Sequence, residues 1–138
     1  MEFQVARLTL ISTVFLFACN AQAQIAVDFE WRLDHRCSTV SPALTISGAP
    51  SGTTKFLANM VDNDFTTFVH GGGAVEASNP TDFEIPSGAL KSYKGPCPPN
   101  FFNFGHDYIW TVQAVDSAGK VLAIATKTKT FSSAKVPK

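Results

Sequence analysis

The chain has 138 residues, of which 45% are hydrophobic and 16% are charged, a mixture that fits one globular domain and excludes a disordered chain. Eleven basic and eleven acidic residues give a formal net charge of zero. A nucleic-acid-binding protein needs a basic surface to displace the counterions of the phosphates, so the composition argues against that class.

Residues 1–23 have the features of an export signal. Arg7 precedes a mainly apolar run at 8–18, and Ala21-Gln22-Ala23 offers small residues where a signal peptidase cleaves. The run is too short to cross a bilayer core of ~30 Å, so no integral membrane span is predicted. The domain would then comprise residues 24–138, exported to the periplasm or secreted. The alternative is a lipoprotein anchored through Cys19.

The first half of this domain contains three predicted strands. Hydrophobic residues alternate with polar ones at 26–32 and again at 44–47, a pattern typical of strands with one solvated face. Residues 55–61 are apolar on both faces apart from Asn59, which predicts an interior strand packed between layers. The polar segment between the first two strands contains His35, which is predicted to lie at the surface.

The second half continues in short strands. Three consecutive glycines at 71–73 permit a close approach of the backbone to a ligand, a bulge or a flexible turn. Alternation at 108–116 predicts a further strand, and the turn residues at 116–120 predict a hairpin that extends to residue 131. No stretch has the pattern of a long amphipathic helix.

Residues 93–110 form a predicted loop and the start of the next strand, and they contain candidate binding groups. Three prolines within 96–99 fix the backbone and remove hydrogen-bond donors, so this turn is predicted to be rigid and exposed, with Gly95 in front of it. His106 and Tyr108 follow two residues apart on an extended chain and therefore project to one face. A rigid loop beside two such side chains is typical of a binding site.

Several motifs together resemble the phosphatidylethanolamine-binding protein family, including its bacterial Raf-kinase-inhibitor-like branch. They are Gly95-Pro96-Cys97-Pro98-Pro99, His106-x-Tyr108, Ser41-Pro42-Ala43-Leu44, Gly48-Ala49-Pro50 and Asp62-x-Asp64. The resemblance covers roughly residues 27 to 125, with a deletion before Gly119 where relatives insert helices. It implies a mainly antiparallel β-sandwich with little helix.

The resemblance also implies a small cavity for a phosphate-like anion. Its candidate ligand-binding residues are Asp62, Asp64, His70, Gly95, His106 and Tyr108, with the proline turn as the rim and Phe68 as an aromatic wall. Imidazole and phenol groups would donate hydrogen bonds to the anion, and a carboxylate would orient a histidine.

The cysteines predict one disulfide. Cleavage of the signal would remove Cys19 and leave Cys37 and Cys97, an even pair in an exported chain. Two free thiols would be a liability in an oxidising compartment. A Cys37–Cys97 bridge is therefore expected.

The predicted function is that of an exported, non-enzymatic binding module for a small anion or a phospholipid head group, with no cofactor. No Gly-x-Ser-x-Gly or comparable nucleophile motif indicates an enzyme. The alternative is a secreted interaction or inhibitor protein that contacts a protein partner through Phe101, Phe102 and Phe104. A histidine and aspartate metal site is a third interpretation, but the ligand spacings typical of zinc sites are not present.

Overall fold

The computed structural model describes residues 24–99 and 104–138. The predicted signal with Cys19, and Phe101 and Phe102, lie outside this part of the chain. The described residues form seven strands and a short 3₁₀ helix at Leu33–His35. The strands are β1 (Ala26–Phe29), β2 (Leu44–Ser47), β3 (Lys55–Asp62), β4 (Gly71–Glu76), β5 (Phe83–Ile85), β6 (His106–Val115) and β7 (Val121–Phe131).

The strands form two antiparallel sheets that pack on each other. One sheet has the order β1-β2-β5 and the other has the order β4-β3-β6-β7. The predicted hairpin is present as β6 and β7, and the Asp116 carboxylate closes its turn by accepting from the N–H groups of Ala118 and Lys120, both at 2.9 Å. The predicted all-β architecture with little helix is confirmed.

Strand β3 shows how the sequence pattern fills the core. Phe56, Ala58 and Met60 point into the space between the sheets and are buried. Leu57 and Val61 point the other way and remain 36% and 37% exposed. The prediction that this strand packs between two layers is therefore wrong, because the sheet β1-β2-β5 covers only one of its faces.

The two sheets are joined along β1 and β7. The Trp31 indole N–H donates to the Lys129 carbonyl over 3.3 Å. The Lys129 ammonium in turn lies 3.1 Å from Asp28 and 2.6 Å from Glu30, and it donates to the Phe29 carbonyl. Together these contacts connect the two sheets at their edge strands β1 and β7.

The three glycines at 71–73 belong to β4 and do not form a flexible turn. The backbone of residues 90–92 crosses directly over them, and the Ser92 N–H donates to the Gly72 carbonyl over 2.9 Å. A Cβ atom at Gly73 would lie 3.3 Å from the Leu90 Cα atom. The close approach that the glycines permit is thus to the protein's own backbone.

His35 is buried, with 8% of its surface exposed, so the prediction of a surface histidine is wrong. Its Nδ1 atom accepts the Arg32 N–H over 3.0 Å, and its ring lies edge-on to Trp31 at 5.8 Å between centroids. Burial disfavours the charged imidazolium and lowers the pKa of His35.

Candidate functional site

Three strand ends meet at one end of the four-stranded sheet and bring the candidate residues together. Asp62 is the last residue of β3 and pairs with Tyr108 of β6, while His106 is the first residue of β6. His70 immediately precedes β4, which borders β3 on its other side. Residues opposite or diagonal to each other on neighbouring strands share a face, so these side chains converge.

The Asp62 carboxylate is the centre of this group and is 3% exposed. Its Oδ1 atom accepts the backbone N–H groups of Asp64 and Phe65 at 2.8 and 2.9 Å, which shapes the turn after β3. Its Oδ2 atom lies 2.7 Å from His106 Nδ1 and 3.9 Å from His70 Nε2. Both carboxylate oxygens are thus engaged.

The charge of Asp62 is stabilised by these bonds. Burial alone would raise the pKa of Asp62, but the hydrogen bonds from His106 and from the Asp64 and Phe65 backbone outweigh it and lower that pKa. The carboxylate therefore stays ionised in the site and acts as an acceptor.

A backbone carbonyl fixes the orientation of His70. The Nδ1 atom of His70 lies 2.7 Å from the Lys94 carbonyl, which can only accept, so Nδ1 carries the hydrogen. The Nε2 atom then faces Asp62. The ring is 3% exposed and lies edge-on to Tyr108, with 5.3 Å between their centroids.

Tyr108 provides a buried hydroxyl group next to Asp62. The side chain has no exposed surface, and its hydroxyl interacts with the Asp62 carboxylate and the Cys97 backbone. Burial and the negative charge of Asp62 raise the pKa of Tyr108, so the phenol keeps its proton. The hydroxyl is a donor directed at the Asp62 carboxylate.

These side chains line one cavity of about 440 Å³. Its walls are formed by Asp62, Asp64, Phe65, Phe68, His70, Cys97, Pro99, His106 and Tyr108. Asp64 is held in place because its Oδ2 atom accepts the Asp107 N–H over 2.7 Å. The structure thus gathers five of the six predicted ligand-binding residues, and Phe68 forms part of the wall.

Gly95, the sixth predicted residue, does not line this cavity. It packs against the segment that contains Cys37, where its N–H donates to the Ser38 carbonyl over 2.6 Å. A Cβ atom at this position would lie 2.5 Å from the His35 carbonyl oxygen. Glycine is needed here so that the loop can approach the neighbouring segment.

The predicted disulfide between Cys37 and Cys97 is present, with 4.6 Å between the Cα atoms. The Cys37 N–H also donates to the Pro96 carbonyl over 2.7 Å. Because Cys97 and Pro99 line the cavity, the bridge holds one wall of it. The prediction that the proline turn is exposed is wrong for Pro96 and Pro98, which are buried because the turn packs against the segment that contains Cys37. Cys97 and Pro99 form the predicted rim.

Two contributors were not identified from the sequence. Phe65 lines the cavity and is 55% exposed, and the only sequence signal for it is an apolar residue inside a polar turn. The Lys94 carbonyl orients His70, and no sequence motif predicts such a contact between backbone and side chain. Phe104, predicted as part of a protein-contacting loop, is 78% exposed.

Two further findings concern the described residues alone. Residues 24–99 and 104–138 contain no group of three histidine, cysteine, aspartate or glutamate side chains that could hold a metal ion. None of the helices in this part of the chain is long and apolar enough to cross a membrane.

Comparisons with known proteins show a likeness in fold. No family model matches the chain, and no curated protein matches it. Among solved structures, it is similar to E. coli YbcL, which is described as a new member of the mammalian PEBP family. The TM-score is 0.57 with 21% sequence identity, and the match covers 80% of this chain and 99% of that one. The placement in a bacterial branch stays a prediction, and the domain has a PEBP-like fold.

Proposed function

We propose that this domain is an exported, non-enzymatic binding module that holds a small anion, a phosphate or a phospholipid head group, in the cavity at the end of β3 and β6. One observation carries the proposal: the His106 side chain lines the cavity and is 24% exposed, while its Nδ1 atom is engaged with Asp62, which leaves the other ring nitrogen for a ligand. A protonated imidazole donates through both nitrogens, and an anion would accept from the second one.

Both carboxylates of the site already accept hydrogen bonds from the protein. Asp62 accepts from His106 and two backbone N–H groups, and Asp64 accepts from Asp107. His106 uses Nδ1 for Asp62, which leaves its Nε2 atom as a second donor when the ring is protonated. His106 therefore offers a donor to an anion, and charge-assisted hydrogen bonds to an anion are the strong ones.

Binding without catalysis is supported by the composition of the wall. Among the described residues that line the cavity, the one cysteine is in a disulfide, and no serine, threonine or lysine contributes. The wall therefore lacks the serine, threonine or free cysteine nucleophile that many covalent mechanisms place beside a base. Export is supported by the sequence of residues 1–23 and by the disulfide, which persists in oxidising compartments.

The test compares two histidine variants. His106→Ala removes a ring that lines the cavity, and His35→Asn removes a buried ring outside it. His106→Ala is expected to weaken phosphate binding by roughly 1.5–3 kcal/mol, or about ten- to a hundredfold, through loss of one hydrogen bond to a charged group. His35→Asn should bind phosphate as the parent does. Isothermal titration calorimetry measures both.

Two results would contradict the proposal. The parent protein could fail to bind phosphate or phosphorylethanolamine at millimolar concentration. Alternatively, His106→Ala could bind phosphate as tightly as His35→Asn, which would mean that His106 does not contact the anion.

A further inference from the structure

The cavity has an inner polar part and an outer apolar part. Asp62, His70 and Tyr108 are each at most 3% exposed and form the inner part. Phe65 and Phe68 line the same cavity but are 55% and 41% exposed, so they form its outer part. A ligand that fills the cavity therefore meets polar side chains in its inner part and aromatic rings in its outer part.

The two phenylalanines are held in place by the turn after β3. The Phe65 N–H donates to Asp62, and the Phe68 N–H donates to the Phe65 carbonyl over 3.2 Å. The Phe68 and His70 ring centroids are 4.6 Å apart, and the Lys94 ammonium lies 5.9 Å from the Phe68 ring centroid. Their exposure is thus a fixed feature of the site, and exposed apolar surface beside a polar site often marks ligand contact.

The volume of the cavity is compatible with an organic ligand. It is about 440 Å³, within the ~300–1,000 Å³ of typical small-molecule sites. Phe65, Phe68 and Pro99 form apolar parts of its wall.

We propose that the cavity selects an anion attached to an aromatic ring, with Phe65 and Phe68 as the specificity-determining residues. This inference rests on the proposed function, because the anionic group binds at His106. An aromatic group suits the outer part because the exposed Phe65 and Phe68 rings lie there, and the Phe68 ring is tilted by 57° against the His70 ring. Such walls offer both faces and edges, which aromatic ligands contact favourably.

The experiment titrates three probes into the protein by calorimetry: inorganic phosphate, phenyl phosphate and cyclohexyl phosphate. Phenyl phosphate is expected to bind about tenfold more tightly than phosphate and about threefold more tightly than cyclohexyl phosphate, which has a similar apolar size without a π face. Phe65→Ala and Phe68→Leu should each reduce the ratio of phenyl phosphate affinity to phosphate affinity severalfold. Val69→Ala is the control, since Val69 is 75% exposed, adjacent in sequence and not in the cavity wall.

The outcomes separate this inference from the proposed function. If phosphate and phenyl phosphate bind equally, the aromatic selectivity is refuted and the anion site stands. If neither binds, both fail. Equal binding of the phenyl and cyclohexyl probes refutes the aromatic preference. Unchanged selectivity in Phe65→Ala also refutes it, and this variant suffices if Phe68→Leu does not fold, because Phe65 is the more exposed of the two rings.

Discussion

Replacement of Asp62 by asparagine tests whether the carboxylate organises the site. Asparagine keeps an oxygen for the Asp64 and Phe65 N–H groups but places an amide where Oδ2 meets His106. The variant therefore loses one charge-assisted hydrogen bond in a buried position, which costs about 1.5–3 kcal/mol of unfolding free energy. Asp34→Asn is the matched control, because that carboxylate is 70% exposed.

Urea unfolding monitored by tryptophan fluorescence measures the effect, since Trp31 and Trp110 are both buried. With a typical slope of ~1–3 kcal/mol per molar urea, the Asp62→Asn midpoint should fall by about 1 M at neutral pH. The Asp34→Asn midpoint should stay close to that of the parent.

The pH dependence supplies a second measurement on the same variant. The folded pKa of Asp62 lies below the ~3.9 of an unfolded aspartate, so unfolding in acid takes up a proton. The contribution of the carboxylate is fully present above about pH 4 and is lost as the pH falls through the folded pKa. The difference in urea midpoint between the parent and Asp62→Asn should therefore disappear in acid. Equal midpoints at neutral pH, or a difference that persists in acid, would refute the role of Asp62.

Three further predictions concern stability. Replacing Cys37 and Cys97 by serine should cost ~4 kcal/mol, because the bridge closes a loop with a sequence separation of 60; an unchanged urea midpoint would contradict this. Burial lowers the pKa of His35, so its contribution is present above about pH 6.5 and is lost as the pH falls. In His35→Asn, the unfolding free energy should change less with pH between about pH 7 and 5 than in the parent. The same pH dependence in both proteins would contradict this role of His35. Gly95→Ala should destabilise by about 1–3 kcal/mol, because its Cβ would lie 2.7 Å from the Ser38 carbonyl oxygen; a parent-like midpoint would show that the loop yields.

The parts of the site that the sequence predicted depend on strand order and alternation. Asp62 ends one strand and His106 and Tyr108 begin another, and these strands are antiparallel neighbours. Alternation then fixes the shared face of the three side chains. The Cys37–Cys97 pair followed from simple counting once residues 1–23 were set aside.

The remaining features depend on contacts that a sequence pattern does not encode. The Lys94 carbonyl reaches His70 only because residues 90–94 cross β4. His35 is buried because it packs against Trp31, although its sequence neighbours are polar. Leu57 is hydrophobic yet half-exposed, since hydrophobicity alone does not say how many layers cover a strand.

The contacts of Lys129 bear on how this protein behaves among its own copies. Strand β7 stands at the edge of its sheet, and an uncovered edge strand can pair with another chain and start aggregation. Here the Trp31 indole N–H donates to the outward carbonyl of Lys129, and the lysine ammonium donates to the Phe29 carbonyl of β1. A charged residue at this point of the edge disfavours strand addition by a second molecule. The same residues that join the two sheets thus protect the end of β7 against intermolecular pairing.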